Sequence, residues 1–347
     1  ASGLLFRSFQ TLQAMDPGFR TENILTAGVQ LPDFKYENPG ELDLAWEEVL
    51  DRVRGLPGLE AVALADWLPV TQGGGPWNSL SRPDRPLAEG DQGAPASRKF
   101  ISPDYFKTLE APLLQGRNFT ENDSPGSPPV MILSQALATS LFPEGGILGR
   151  RVNLWGTPFE VVGVAAPVTE SGLGEDGRPT FYLSSRQFPQ PRLRLMARTG
   201  GTDPLTLAGP LRTVLADMDV DITVSGVQTM DVRVSDTLAQ PRFRMILVGV
   251  FATAGLLMAA FGLYGLLAFL VTRRRHEIGI RMAVGARREN VIGLVFRNGM
   301  ALVGIGVALG LVGGWVASVA LRSLLFGVSV ADPLTLLGAS GVLLSVA

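Results

Sequence analysis

The sequence predicts an α+β extracytoplasmic domain, built as a split βαβ subdomain with an α+β insertion, plus a transmembrane α-helical bundle. Three observations carry this expectation. Two uncharged runs, the 28 residues Met245–Thr272 and the 24 residues Asn298–Leu321, flank an arginine-rich stretch, and about 20 apolar residues suffice to cross the hydrocarbon core of a bilayer as a helix. Charge is distributed unevenly: residues 16–242 hold 29 acidic against 20 basic side chains, whereas residues 272–298 hold seven arginines against Glu277 and Glu289. Strand–helix–strand patterning occurs twice, far apart in the chain, as it would in one subdomain interrupted by an insertion.

The charge asymmetry orients the chain. Short loops rich in Arg or Lys stay on the cytoplasmic side, whereas long domains translocate largely regardless of charge. The loop 273–297 is therefore expected in the cytoplasm, and the domain 16–242, one crossing away, outside it. The chain has no cysteine, which excludes disulfides, Cys-ligated zinc and thiol catalysis. A domain of this length buries enough core without a covalent staple. His276 is the sole histidine, which argues against a His-based metal site or triad.

In chain order, Ala1–Met15 places Leu5, Phe9 and Leu12 at helical spacing and is expected to be the outer end of a first membrane helix. Asp16-Pro17-Gly18 breaks it. Ile24–Leu31 reads as a strand. Glu41–Leu56 reads as an amphipathic helix with Leu42, Ala45, Trp46, Val49, Leu50 and Val53 on one face, and Ala61–Leu68 as a second strand. The matching unit is Leu193–Arg198, Pro204–Asp217 and Ile222–Val227. Residues 16–68 and 191–242 thus form one subdomain and 69–190 the insertion. Within the insertion, Thr71–Glu89 reads as a long Gly/Pro/Ser-rich loop, and Ser102–Leu109 as a short helix capped by Ser102 ahead of Pro103. Val130–Leu133 is a strand and Ser134–Leu141 a helix. Arg151–Leu154 and Phe159–Val164 form a hairpin around Trp155-Gly156-Thr157-Pro158, and Pro179–Leu183 is a strand. Residues 243–347 are then helical, with spans at 245–272 and 298–321 and a partial span at 334–347. The chain lacks an initiator Met and stops within the apolar run Leu334–Ala347, and is expected to be truncated at both ends.

Two patterns single out candidate sites. From His276 to Gly285 the arginine loop is amphipathic: Ile278, Met282 and Gly285 share a face, with Ile280 and Val284 beside it. A plain charged turn needs only a few residues. A short helix with exposed apolar side chains is better suited to docking in a groove on a partner. Arg273, Arg274 and Arg275 stand where the preceding helix leaves the bilayer and would anchor it among the headgroups. In the second span, Gly306, Gly310, Gly314 and Ser318 recur every four residues, a small-residue stripe that permits close helix packing. Neither span contains Asp, Glu, Lys, Arg or His, so no proton relay or ion path is indicated. Gly73-Gly74-Gly75 and Gly145-Gly146 lack the Gly-Lys-Ser/Thr ending of a phosphate loop. Asp217, Asp219 and Asp221 read as a solvated turn, since the EF-hand spacing is missing. No catalytic pair, nucleophile elbow, cofactor site or metal site is expected, and no enzymatic activity.

His276–Val295 resembles the cytoplasmic loop of FtsX/MacB-type ABC transporter permeases, and the stretch from Asp16 to Thr26 resembles the entry to a MacB-like periplasmic core domain. Ser102-Pro103-Asp104-Tyr105-Phe106, Gly116-Arg117-Asn118-Phe119, and Leu148-Gly149-Arg150-Arg151 followed by Val161-Val162-Gly163-Val164 resemble later blocks of that domain. Leu324-Leu325-Phe326-Gly327-Val328-Ser329 with Asp332-Pro333 resembles the outer turn between the last two helices. The blocks occur in the family's order, and the set is most similar to the C-terminal half of the duplicated permeases described from Acidobacteria.

The resemblance implies a multi-pass protein of the bacterial inner (plasma) membrane, with four helices in the full unit and a large periplasmic domain between the first two. ATP would be hydrolysed by a separate cytoplasmic ABC ATPase subunit. Glu277, Ile278, Ile280, Arg281, Met282, Val284 and Gly285 would form the coupling helix seated on it. The other expected partners are a second permease half (homologous or fused), the lipid bilayer and a periplasmic protein, with no nucleic acid and no cofactor. The work done would be export or extraction of a lipophilic or peptide-like substrate by mechanical relay. The alternative is a transmembrane signalling or scaffold protein whose outer domain recruits or activates an envelope partner. Substrate movement driven by an ATPase distinguishes the first from the second.

Overall fold

The computed structural model describes residues 16–36, 38–70, 75–85, 93–170, 178–237 and 239–273, together with Gly306 and Gly313. The chain divides into two compact units, Asp16–Leu238 and the remainder. In the first unit the elements, in order, are strand β1 (Ile24–Gln30), helix α1 (Pro39–Arg54), β2 (Leu59–Ala65), β3 (Trp77–Leu80), β4 (Ala94–Ile101), α2 (Tyr105–Leu109), β5 (Leu113–Gly116), β6 (Val130–Ser134) and α3 (Gln135–Leu141). There follow β7 (Arg151–Leu154), β8 (Thr157–Ala165), β9 (Thr180–Ser184), β10 (Arg192–Thr199), a 3-10 turn (Pro204–Leu207), α4 (Ala208–Met218), β11 (Thr223–Thr229) and α5 (Met230–Thr237). The second unit contributes α6 (Ala239–Arg273).

The two βαβ patterns interleave. The strand order is β11-β1-β10-β2 and every pair is antiparallel. Each unit is thus split by a strand of the other: β10 separates β1 from β2, and β1 separates β11 from β10. This is the ferredoxin-like arrangement. The local chemistry of α1 explains its limits. The Asn38 side chain accepts the Glu41 N–H at 3.0 Å, Pro39 occupies the first turn, and Arg52 and Arg54 lie in the last, complementing the helix dipole. Its buried face is Leu42, Ala45, Trp46, Val49, Leu50 and Val53. With Leu211 and Leu215 of α4, it covers the sheet face formed by Leu25, Ala27, Val29, Val62, Leu64, Leu193 and Leu195.

The insertion builds a second lobe. Strands β4, β9, β6 and β8 pair in that order, β7 adds to β8 and β3 to β4. Ser81 and Asn153 then exchange backbone hydrogen bonds of 3.2 and 2.8 Å, closing the six strands into a ring. Alternate residues point inward: Phe100, Met131, Leu133, Val152, Phe159, Phe181 and Leu183 fill the interior, with Leu137 and Leu141 of α3. Their neighbours Ile101, Ile132, Val162 and Tyr182 point outward and pack with Tyr105, Phe106 and Leu109 of α2 and with Ile24, Ala63 and Met196 of the first lobe. The period of two along each strand therefore feeds two different cores.

Three local expectations change. Trp77–Leu80 lies in the stretch expected to be loop, yet it pairs antiparallel with Ala94–Ser97; its partner, not its composition, makes it a strand. Ser102 does not cap a helix. Its Oγ accepts the Leu64 N–H of β2 at 2.9 Å, and the helix begins at Tyr105 with no side-chain cap. The hairpin turn is the two residues Trp155-Gly156, both at positive φ (54° and 79°). Two such residues make a type I′ turn, whose twist matches the flanking strands; Thr157 and Pro158 belong to the strand.

Candidate functional site

Of the residues singled out in the arginine loop and second span, Arg273 and Gly306 are described. Arg273 is the last residue of α6. Gly306 is helical and exposed, and a Cβ there would meet nothing within 4 Å. Arg274, Arg275, Glu277, Ile278, Ile280, Arg281, Met282, Val284, Gly285, Gly310, Gly314 and Ser318 lie outside the described residues, as do residues 1–15 and the spans expected at 298–321 and 334–347.

Helix α6 has 35 residues, roughly 52 Å at the usual rise, against about 30 Å of hydrocarbon. It is the one helix among the described residues long and apolar enough to cross a membrane. Its window Met245–Gly262 has a mean hydropathy of 2.2 and none of it is buried. Phe251, Met258, Phe261 and Tyr264 are 69–74% exposed, an apolar surface that water does not tolerate on one element. Thr253 and Thr272 turn their hydroxyls onto the carbonyls of Gly249 and Ala268, four residues back, at 2.9 and 2.8 Å.

In the first unit, the distant motif blocks of the sequence converge where its two lobes meet. Gly116 on β5 pairs with Gly163 on β8. Neither can carry a side chain: a Cβ on Gly116 (φ +77°) would lie 2.1 Å from the Val162 carbonyl oxygen, and one on Gly163 would lie 2.6 Å from that of Arg117. Arg117 grips Asp123 through two hydrogen bonds of 2.8 and 3.0 Å, and Asn118 donates to the Pro103 carbonyl. The Gly149 N–H donates to Val161 and the Val161 N–H to Arg150, both at 2.9 Å. At the entry, Gly18 (φ +78°) leaves no room for a Cβ against the Pro167 carbonyl, 2.1 Å away, and the Thr169 N–H donates to Pro17 at 2.9 Å.

A polar seam accompanies these contacts. Strands β2 and β4 share the single pair Ala65↔Ile101. Asp66 reinforces it by accepting the Phe100 and Trp67 N–H groups, each at 2.9 Å. Burial pushes the Asp66 carboxyl up from 3.8 to about 6, against the lowering effect of those hydrogen bonds and of Lys99 and Arg98. Lys99 and Glu170 form an ion pair with both side chains 3% exposed. Tyr182 donates to Glu170 at 2.7 Å and Lys99 donates to the Tyr105 hydroxyl at 3.3 Å. Burial first, and the Glu170 charge second, raise both tyrosines well above their usual range. Arg198, 5% exposed, donates to the carbonyls of Thr108, Glu22 and Arg20 at 2.7, 3.1 and 3.1 Å. It thereby ties the entry segment to α2. This network has no local signature in the sequence, because Lys99 and Glu170 stand 71 positions apart and nothing nearby marks either. Asp219 and Asp221, expected to be a solvated turn, both pair with Lys35, at 2.8 and 2.7 Å.

Residues 9–244 match a family model described as a MacB-like periplasmic core domain, and residues 249–347 one described as the FtsX-like permease C-terminal. The chain is 24% identical over 228 residues to a protein of Bacillus subtilis (strain 168) titled "Uncharacterized ABC transporter permease YvrN", covering 62% of this chain and 56% of that protein. It is 28% identical over 222 residues to "Macrolide export ATP-binding/permease protein MacB" of Marinobacter nauticus, covering 61% of this chain and 34% of that protein. Against the protein of the same title from Azoarcus sp. it is 30% identical over 215 residues, covering 57% and 32%. The matched segments thus span just over half to about a third of these relatives' lengths. The crystal structure of the periplasmic region of MacB from Actinobacillus actinomycetemcomitans superposes with a TM-score of 0.43 at 16% identity, covering 66% of this chain and 99% of that one.

Proposed function

The chain belongs to the MacB/FtsX type of ABC transporter permease, and from that premise we propose that it couples ATP hydrolysis on a separate cytoplasmic ATPase subunit to movement of its outer domain. In this reading residues 1–15 end a first membrane helix, 245–272 and 298–321 cross the membrane, and 334–347 begin a further span. The stretch 273–297 faces the cytoplasm. The apolar face of Ile278, Ile280, Met282 and Val284, flanked by Glu277 and Arg281 and ended by Gly285, seats in a groove on the ATPase. Arg273, Arg274 and Arg275 hold the end of α6 at the headgroups. Gly306, Gly310, Gly314 and Ser318 form the smooth stripe on which a second permease half packs.

The observation that carries the reading is α6: one continuous helix containing 28 uncharged residues and ending on an arginine. The outer domain suits a relay. Because β1 and β11 run antiparallel, with Leu25 opposite Thr229, its entry segment and its exit helix α5 lie at the same end of the four-stranded sheet. Displacement applied there reaches the second lobe through the shared core, Arg198 and the seam. The cargo is a lipophilic or peptide-like molecule, exported or extracted. The macrolide export named for several relatives is in keeping with a lipophilic one.

The test replaces Ile278 or Met282 by Asp in the full chain and measures the ATPase rate of the subunit that co-purifies with it. The expected result is loss of stimulation while the protein still reaches the membrane. Normal stimulation in both variants would overturn the docking role.

A further inference from the structure

The four-stranded sheet of the outer unit carries a cluster of arginines that the relay does not use. On the face opposite α1 and α4, Thr26, Gly28 and Gln30 of β1 lie beside Met196, Arg194 and Arg192 of β10. On the other side, β11 places Ser225 opposite Gly28 and departs from regular register between Thr26 and Gly28. Gly226, at φ +57°, accommodates that bulge, and bulges commonly re-aim side chains beside functional sites. Arg233 of α5 reaches across it. Its Nε donates to Thr26 Oγ1 and its Nη2 to the Gly226 carbonyl, both at 3.2 Å, which fixes the guanidinium; among the described residues Nη1 makes no hydrogen bond.

Arg194 is half-buried, and among the described residues it makes no hydrogen bond or ion pair, an unusual condition for a group with five donors. Its Nη1 lies 2.7 Å, and Ser225 Oγ 2.8 Å, from the point where Gly28 would carry a Cβ. The space above Gly28 is thus bounded by an unpaired guanidinium and a hydroxyl, and any side chain at position 28 would fill it. Arg192 stands at the rim, bonded to Gln30 at 3.1 Å. The two inner cations disfavour each other: burial lowers the Arg233 pKa and the Arg194 charge lowers it further, with Asp236 partly offsetting both. Among the described residues no carboxylate lies within ion-pair distance of either, although the domain holds a surplus of acid.

We propose that Arg194 and Arg233, with the Ser225 hydroxyl above the bare backbone of Gly28, form a binding site for a phosphate group. Donors converging from two strands and a helix suit a tetrahedral oxyanion, and arginine supplies strong charge-assisted hydrogen bonds to phosphate. The phosphate comes from free solute or from a lipid headgroup.

Inorganic phosphate, titrated into the full chain in neutral detergent at ionic strength held constant with chloride, tests this by broadening of the ³¹P resonance. Wild type should show saturable binding. Arg194→Gln, a surface-compatible change, should weaken it by about tenfold or more, and Ser225→Ala by less. Arg212→Gln, on the exposed side of α4, should leave it unchanged. Displacement of phosphate by phosphatidylglycerol nanodiscs, but not by phosphatidylcholine ones, assigns the headgroup as source; phosphate binding that both leave intact assigns the free ion. Absence of saturable binding, or binding that survives Arg194→Gln in protein of unchanged melting temperature, would overturn the site.

Discussion

Gly116 shows how little freedom a single residue has here. Its backbone sits at φ +77° and a Cβ would approach the Val162 carbonyl oxygen to 2.1 Å, so both conformation and space exclude a side chain. Gly116→Ala is expected to cost about 3 kcal/mol, a fall of roughly 6–12 °C in Tm for a domain of this size. Trp46, Trp67, Trp77 and Trp155 would report the loss by fluorescence. The buried Lys99–Glu170 pair makes a different prediction. Removing one member strands the other charge, so Lys99→Met and Glu170→Gln should each destabilise by about 3–5 kcal/mol, while the double variant loses clearly less than the sum. Additive losses in that double-mutant cycle would mean that the two groups do not stabilise one another. Asp66 predicts a pH dependence. Its folded pKa of about 6 exceeds the ordinary 3.8, so between those values the folded state keeps a proton that the unfolded state has released. Its contribution to stability therefore declines as pH rises from about 4 to about 6 and stays low above that. Asp66→Asn, whose carbonyl can still accept the Phe100 and Trp67 N–H groups, should raise Tm at pH 7 by roughly 2–4 °C. The advantage should shrink toward pH 4; one independent of pH would contradict the assignment.

Among elements, those with strong periodicity were legible from sequence. Helix α1 shows its buried face in the spacing Leu42, Ala45, Trp46, Val49, Leu50, Val53, and β6 and β8 show themselves as short apolar runs. What sequence could not supply was partnership. Trp77–Leu80 becomes a strand because β4 lies beside it, and Ser102 abandons a cap because the Leu64 N–H needs an acceptor at the lobe junction. The interleaving of the two βαβ units and the ring of six strands are likewise consequences of pairing at long range. The motif blocks around Gly116, Gly149 and Gly163 could be read as blocks, but their meeting point could not, because the contacts join residues tens of positions apart. Helix α6 is legible in the sequence as the uncharged run Met245–Thr272. The isolated segment 245–272 should insert in a translocon reporter. Met258→Arg, at its centre, should raise the apparent insertion free energy by about 2.5–3.5 kcal/mol. Failure of the unaltered segment to insert would remove the membrane reading of this element.

For the whole molecule, the family follows from matches that together cover residues 9–244 and 249–347, while the account of its work rests on which side of the membrane each part occupies. With seven arginines, residues 272–298 are expected inside, and the acid-rich domain outside. On the proposed reading, cargo, ATPase and periplasmic partner all take their meaning from that orientation, because a docking helix would work only on the side where ATP is hydrolysed. The absence of native cysteine makes the orientation directly measurable. Val220→Cys, at a position 84% exposed in the outer unit, and Ala286→Cys, in the arginine loop, each introduce one thiol into the full chain. With a membrane-impermeant maleimide on intact spheroplasts, position 220 should label at once and position 286 only after the membrane is permeabilised. Labelling of position 286 from outside, with position 220 protected, would contradict the account.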